Sequence, residues 1–403
     1  MRSPRALRGL SELPGEVRAL VGVGFMVALG FGVVSPAIPL FARQFGVDRA
    51  AAGAVISAFA LMRLVAAPFV GRLVDAAGER KVLATGIGVV AVSSALAGLA
   101  QAYWQLLVLR GLGGVGSIMF SVSAAGLLIR VTPPHQRGRA QGLWAGSFLI
   151  GTIAGPAVGT IAGFSLRAPF FFYAITLVGA GTIGLVRLRH SELAARSAGS
   201  AGVAPMPLRT ALRSRAYRGA LVASFAGDFA VVGTRSSVVP QFVGDRLHLG
   251  SSWVYAAFLV VSIVSGALLL PFGRFADSTG RRPIILGGLA LGAIGFVLLP
   301  TIANAAGLLI AMVLLGVAGA ADSVAPGAVL GDVVGGRGGT VVAVFQMAGD
   351  LGAVLGPVSS GVLADGFGYG AAFAVSAAVA LAPLPFVAAA PETLVRTGAN
   401  QPN

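Results

Sequence analysis

The sequence predicts an all-α membrane protein of twelve transmembrane helices in two pseudo-symmetric halves of six. Three observations predict it: the density of apolar residues, the uneven distribution of positive charge, and a pattern that returns about 200 positions later. Of the 403 residues, 56% are hydrophobic and 11% charged, against roughly 45–50% and about 25% in soluble domains. Apolar runs of the roughly 20 residues that span a bilayer fall near 18–41, 51–70, 82–101, 104–129, 140–163, 168–186, 218–243, 251–272, 284–302, 305–331, 341–364 and 369–390.

Charge sets the expected orientation. With the N-terminus placed in the cytoplasm, the connections on that side and both tails carry 22 of the 29 Lys+Arg. The opposite loops carry four, Arg43, Arg49, Arg167 and Arg246, and three lie within spans, Arg63, Arg110 and Arg235. Basic residues collect on cytoplasmic loops, so both termini are expected inside. The net charge of +15 is then a topology signal, and no nucleic-acid partner is expected. The absence of cysteine excludes disulfides, thiol catalysis and Cys-ligated metal. His135, His190 and His248 stand in different loops without paired ligand spacing, so no metal site is expected. The first apolar run is too long for a signal-peptide core and is read as a retained span. Arg outnumbers Lys 28 to one, which suggests a GC-rich bacterial genome and the bacterial cytoplasmic membrane.

Taken in order, a tail (1–17) precedes the first half (18–187). The phrase "GRLVDAAGERK", Gly71 to Lys81, follows span 2, where Gly71 and Gly78 permit a tight turn. Asp75 in that phrase is expected to face a helix N-terminus, that of span 11 near Gly339 and Thr340. Span 4 contains Arg110 followed by "GLGGVG", which imitates a dinucleotide fingerprint but lies inside a span and is read as helix packing. Span 5 contains "GTIAGPAVG". Gly151, Gly155 and Gly159 fall on one helical face, so another backbone can approach, and Pro156 removes a hydrogen bond and bends the helix. Close packing with a bend suits a sealed, rocking interface, a role shared with Gly356 and Pro357 of the second copy. A Gly/Ala/Pro-rich linker (188–217), with "SAGSAGVAPMP" at its centre, divides the chain. The second half (218–390) then repeats the first, and a tail (391–403) ends it.

At an offset of 201 or 202, Gly71, Asp75 and Gly78 align with Gly273, Asp277 and Gly280. Gly32 and Pro39 align with Gly233 and Pro240, and Gly151, Gly155 and Pro156 with Gly352, Gly356 and Pro357. Parallel repeats of this kind are a transporter architecture, with the substrate site at mid-membrane between the halves.

On these residues the chain resembles the major facilitator superfamily over all twelve spans. The family's loop motif, Gly-x-Leu-x-Asp-x-x-Gly-basic-basic, is matched by Gly71, Leu73, Asp75, Gly78, Arg80 and Lys81, with Ala76 and Glu79 where basic residues are usual. The second copy keeps Gly273, Asp277, Gly280, Arg281 and Arg282, with Phe275 for Leu. "LVLRGLGGVGS" is similar to the family's Arg-containing span-4 motif, and "GTIAGPAVG" to the span-5 motif of drug:proton antiporters. The resemblance implies the major facilitator fold, spans 1, 4, 7 and 10 around a central cavity, and the duplicated phrases as gates.

An ionisable residue deep in a span is costly and by default functional. Six are expected: Arg63, Arg110, Asp228, Arg235, Asp322 and Asp350, and each breaks the repeat. Asp228, Asp322 and Asp350 are the candidates for proton coupling. Arg110 and Arg235, with Phe31, Phe120, Phe225 and Phe229, are the candidates for the substrate cavity. Asp228 and Arg235, seven residues apart, are expected on one face of span 7, about 10 Å apart along its axis. Arg63 and Asp350 are expected to meet between spans 2 and 11, with Gln346 one turn away hydrogen-bonded to Asp350. The sequence thus predicts a monomeric, proton-driven exporter of lipophilic or amphiphilic small molecules, without cofactor and without enzymatic chemistry. A lipid, sugar or metabolite exporter on the same fold is the alternative, and a non-transporting sensor or scaffold a more distant one.

Overall fold

Apolar periodicity and the bilayer's intolerance of unpaired backbone leave helices as the only regular structure. The computed structural model describes residues 14–132, 137–161, 165–188, 206–334 and 339–393, which contain helices and no strand. One helical element stands at each of the twelve predicted positions. These are α1 Gly15–Arg43, α2 Arg49–Ala77, α3 Glu79–Gly98, α4 Tyr103–Val131, α5 Arg137–Ile161 and α6 Ala168–Leu188 in the first half. In the second half α7 runs from Arg215–Asp228 through a π-helical turn, Phe229–Arg235, into Ser236–Asp245. It is followed by α8 Ser251–Thr279, α9 Arg282–Thr301, α10 Ala305–Val334, α11 Gly339–Phe367 and α12 Tyr369–Ala388. Ten of these are long and apolar enough to cross a membrane; α5 and the interrupted α7 are the other two.

Packing repeats with the sequence. α1 packs on α5 and α6, α2 on α4, and α3 on α4 and α6; α7 packs on α11 and α12, α8 on α10, and α9 on α10 and α12. The halves meet through α2 against α11 and α5 against α8, the same pair of contacts seen from each half. The aligned glycines explain the match. A β-carbon on Gly155 would lie 2.5 Å from the Cα of Gly32, and one on Gly356 2.6 Å from the Cα of Gly233, so α1–α5 and α7–α11 cross at the same place in each half. Gly151 and Gly155 therefore bring helices together within a half rather than between halves. Gly159 lies on Tyr255 of α8, and Pro357 on Gly53 of α2, so these two do face the other half.

Two expectations are corrected. Gly71 and Gly273 lie inside α2 and α8, with open space where a β-carbon would stand, and neither makes a turn. One glycine in a helix costs only about 1 kcal/mol, and the helix-forming residues around each carry it on. The turn comes at Gly78 (φ 83°) and Gly280 (φ 125°), a left-handed backbone that favours glycine. The last part of the linker is also not irregular: Leu208–Arg213 is helical and buries Ala211 with Tyr217, whose hydroxyl donates to the Val341 carbonyl over 2.7 Å. Residues 1–13, 133–136, most of the linker and 394–403, with His135 and His190, lie outside the described residues, as do the side chains of Asp75, Asp277 and Thr340.

Candidate functional site

The π-helical turn decides where the charges of α7 point. Asp228 ends the first α-helical stretch and Arg235 ends the π turn. Bonding from i to i+5 turns the chain less per residue than an α-helix does, so the seven-residue spacing no longer returns to the same face. The expectation that Asp228 and Arg235 share a face fails for this reason. The Asp228 carboxylate lies against Gly349 of α11, where a β-carbon would collide with it. Arg235 turns instead towards α10 and α8, with Nη1 3.7 Å from the position of a Gly319 β-carbon and Cζ 5.9 Å from the centre of the Phe258 ring. Hydroxyls support the irregular turn: Ser237 donates to the Gly233 carbonyl, and Thr234 shares hydrogen bonds with Ser360 of α11 and Ser376 of α12.

The three carboxylates form a staggered series. Arg63 Nε lies 3.5 Å from Asp350 Oδ1 across the interface of α2 and α11, and its Nη1 donates to Ser117 Oγ over 2.7 Å. Gln346 is exposed and makes no hydrogen bond to Asp350. Asp228 packs on Gly349, which precedes Asp350, and Asp322 packs on Gly227, which precedes Asp228. Each acid thus sits beside the backbone of the next, and Arg63 stands at one end of the series. Arg235 stands near the other, lining with Asp322 a cavity inside the second half walled by alanine and glycine.

A second cavity opens between the halves. Arg110 of α4 and Arg235 of α7 line it together with Phe31, Phe59, Phe258 and Ser262. Phe120 and Phe229, expected here, are 5% exposed and belong to the packing, Phe120 6.0 Å from the Trp144 ring and Phe229 6.1 Å from Phe225. Phe225 gives its carbonyl to the close approach of Gly352 and lines neither cavity. Helical periodicity marks an apolar face without telling which neighbour covers it. Phe59, with its ring centre 4.5 Å from Arg110 Cζ, and Phe258 take the places expected for the other rings.

Sequence reasoning missed a polar cluster at the loop end shared by α1–α2, α7–α8 and α11–α12. Arg49, at the start of α2, reaches Asp245 at 2.9 Å and Asp365 at 3.2 Å, and its Nε donates to Tyr369 Oη over 2.7 Å. Tyr369 in turn donates to Asp245 over 2.7 Å, with Arg43 3.8 Å from the same carboxylate. Asp365 also accepts from the backbone N–H of Arg49 and Ala50, capping α2 from the opposite half. Arg43 and Arg49 carried no signal beyond loop charge in the sequence. Among the described residues, the hydrogen bonds and ion pairs between halves all lie between this cluster and the Arg63–Asp350 pair. At the opposite end, Arg281 pairs with Asp332 at 3.2 Å and Glu392 accepts from the N–H of Arg281 and Arg282, all within the second half. Arg80 lies beside Glu79, which is buried against Gly126 of α4.

The repeat, the paired glycine crossings and the charged interface agree with the comparison to known families. The Major Facilitator Superfamily model matches residues 20–267 and 236–397. The chain belongs to the major facilitator superfamily. It is 27% identical over 349 residues to Multidrug resistance protein 2 of Bacillus subtilis strain 168, covering 85% of this chain and 86% of that one. It is 29% identical over 163 residues to Quinolone resistance protein NorA of Staphylococcus aureus strain MRSA252, a match spanning 40% of each chain. Solved structures share the superfamily fold: the nucleoside transporter NupG with a TM-score of 0.72 at 15% identity over 93% of this chain and 98% of that one, and the peptide transporter POT with 0.76 at 12% over 96% and 98%. As a facilitator with this fold, the protein is a multi-pass membrane transporter.

Proposed function

We propose that this transporter exports lipophilic or amphiphilic small molecules in exchange for protons, by alternating access, from the bacterial cytoplasm. The observation that carries the reading is the series Asp350, Asp228 and Asp322, three carboxylates each packed on the residue preceding the next or against it, between Arg63 and Arg235. Burial favours the neutral form of a carboxylate and a nearby guanidinium its ionised form. A change in helix spacing that moves a guanidinium or admits water therefore loads or unloads a proton. One proton crossing 100 mV supplies about 2.3 kcal/mol before any pH gradient. The likeness to two drug-resistance proteins supports a drug-like substrate.

With both termini inside, as the distribution of Lys and Arg favours, the Arg49–Asp245–Asp365–Tyr369 cluster is the outer gate and is closed here. The halves 18–187 and 218–390 rock about the α2–α11 and α5–α8 contacts. Reconstitution tests the reading. Inside-out molecules in proteoliposomes with an acidic lumen are expected to concentrate amphiphilic dyes from a panel of positive, negative and neutral members. Uptake that ignores the pH gradient for every dye makes the protein a facilitated carrier.

A further inference from the structure

The cavity between the halves holds two guanidinium groups and no carboxylate. Arg110 is 3% exposed, and its Nε is buried without a hydrogen-bond partner. The Nε of Arg235 is likewise buried and unpartnered. Among the described residues, neither side chain forms an ion pair: Arg63 takes Asp350, and Arg49 takes Asp245 and Asp365. Asp322, the acid nearest Arg235, packs on Gly227 and faces the other cavity. What the two guanidiniums do contact is aromatic, Phe59 for Arg110 and Phe258 for Arg235. A ring face steadies a cation but accepts none of its N–H bonds in the plane of the fork.

A guanidinium buried in a membrane protein without an ion-paired anion is costly. Arg110 has no acid near it in this cavity, and Arg235 feels the Asp322 charge across the neighbouring cavity without pairing with it. The two guanidiniums, one from each half, face the same space. From this we infer that the transported ligand is an amphiphilic organic anion. Its carboxylate or sulfonate sits between Arg110 and Arg235, and its apolar body lies against Phe31, Phe59 and Phe258. Planar, forked donors suit oxyanions. Because the two arginines belong to different halves, the anion bridges them while the outer gate is closed, and separation of the halves at that end parts the pair and lowers affinity on the side of release. The inference rests on the reading of this cavity as the transport path and supplies the substrate charge that reading leaves open.

Equilibrium binding to the purified full-length protein tests it without any gradient, so the result is independent of proton coupling. Titration calorimetry with naphthalene-2-sulfonate, its neutral sulfonamide and a naphthyl trimethylammonium salt, in chloride-free buffer, compares one ring system at three charges. The sulfonate is expected to bind at least tenfold more tightly than the other two. Arg110→Gln and Arg235→Gln are each expected to weaken it at least tenfold, and Arg246→Gln, on the loop outside the cavity, to leave it within about threefold. Equal affinity for sulfonate and sulfonamide, or preference for the cation, overturns the inference; so does an Arg110→Gln or Arg235→Gln protein that binds as the wild type does. Chloride that raises the melting temperature and that no organic anion displaces makes the pair a structural counter-ion site, which also overturns it. If an arginine variant does not fold, the three-ligand comparison on the wild-type protein decides alone.

Discussion

Arg63 and Asp350 meet at the point where the halves part, 3.5 Å apart and about one-fifth exposed. Truncating either leaves the other charge in a low-dielectric setting without its partner, which costs more than the pair itself contributes. Arg63→Ala and Asp350→Ala are each expected to lower the melting temperature, with the double variant less than additive by about 0.5–3 kcal/mol. Strict additivity in a double-mutant cycle would show that the contact carries no energy. The meeting of these two residues was legible because charge in mid-span is rare enough to require a partner, and α2 and α11 offer few. The aromatic residues were not legible in the same way. Phe120 and Phe229 have the spacing of a cavity lining, but whether a ring faces a ligand or another helix depends on the crossing of helices that no single-helix pattern encodes. Gln346 failed for a related reason: its spacing allowed a bond that the exposed rotamer does not make.

At the scale of the helix, glycine has two meanings in this chain. Gly356 lies at a crossing where a β-carbon would come 2.6 Å from Gly233 Cα, whereas Gly71 meets nothing within 4 Å. Gly356→Ala is expected to force α7 and α11 apart and cost about 1–3 kcal/mol. Gly71→Ala is expected to be neutral or to stabilise by up to about 1 kcal/mol, since it adds helix propensity without a clash. Thermal unfolding of the two variants in one detergent separates them, and an equal loss in both would contradict the packing described here. The sequence marked Gly155 and Gly356 as places of close backbone approach but assigned them to the interface between halves; their partners, Gly32 and Gly233, lie within the same half, which a one-helix pattern does not tell. The π turn of α7 left no comparable mark. Its hydroxyl partners, Ser360 and Ser376, lie 126 and 142 residues away, beyond the reach of local pattern, and so the direction of Arg235 was misread.

For the whole molecule, twelve apolar runs and their repeat were readable because hydropathy and charge asymmetry are properties of long windows. The closure of the halves at one end was not, since it depends on loop residues such as Arg49 and Asp365 meeting across them. Arg49→Ala is expected to loosen the gate proposed at this end, and the absence of cysteine makes this simple to read. Ser262→Cys, in the cavity wall, should react with an impermeant maleimide added outside several-fold faster in the Arg49→Ala background. Unchanged labelling would mean that the cluster does not hold the gate. The central claim, that the carboxylate series moves a proton against the substrate, is tested most directly at Asp228, the middle member. An amide keeps the shape of the side chain and cannot release a proton in each cycle. In proteoliposomes, Asp228→Asn is expected to bind ligand and exchange it downhill at rates near the wild type, while uphill accumulation driven by a pH gradient disappears; an Asp228→Asn protein that still accumulates ligand with wild-type pH dependence would contradict the account.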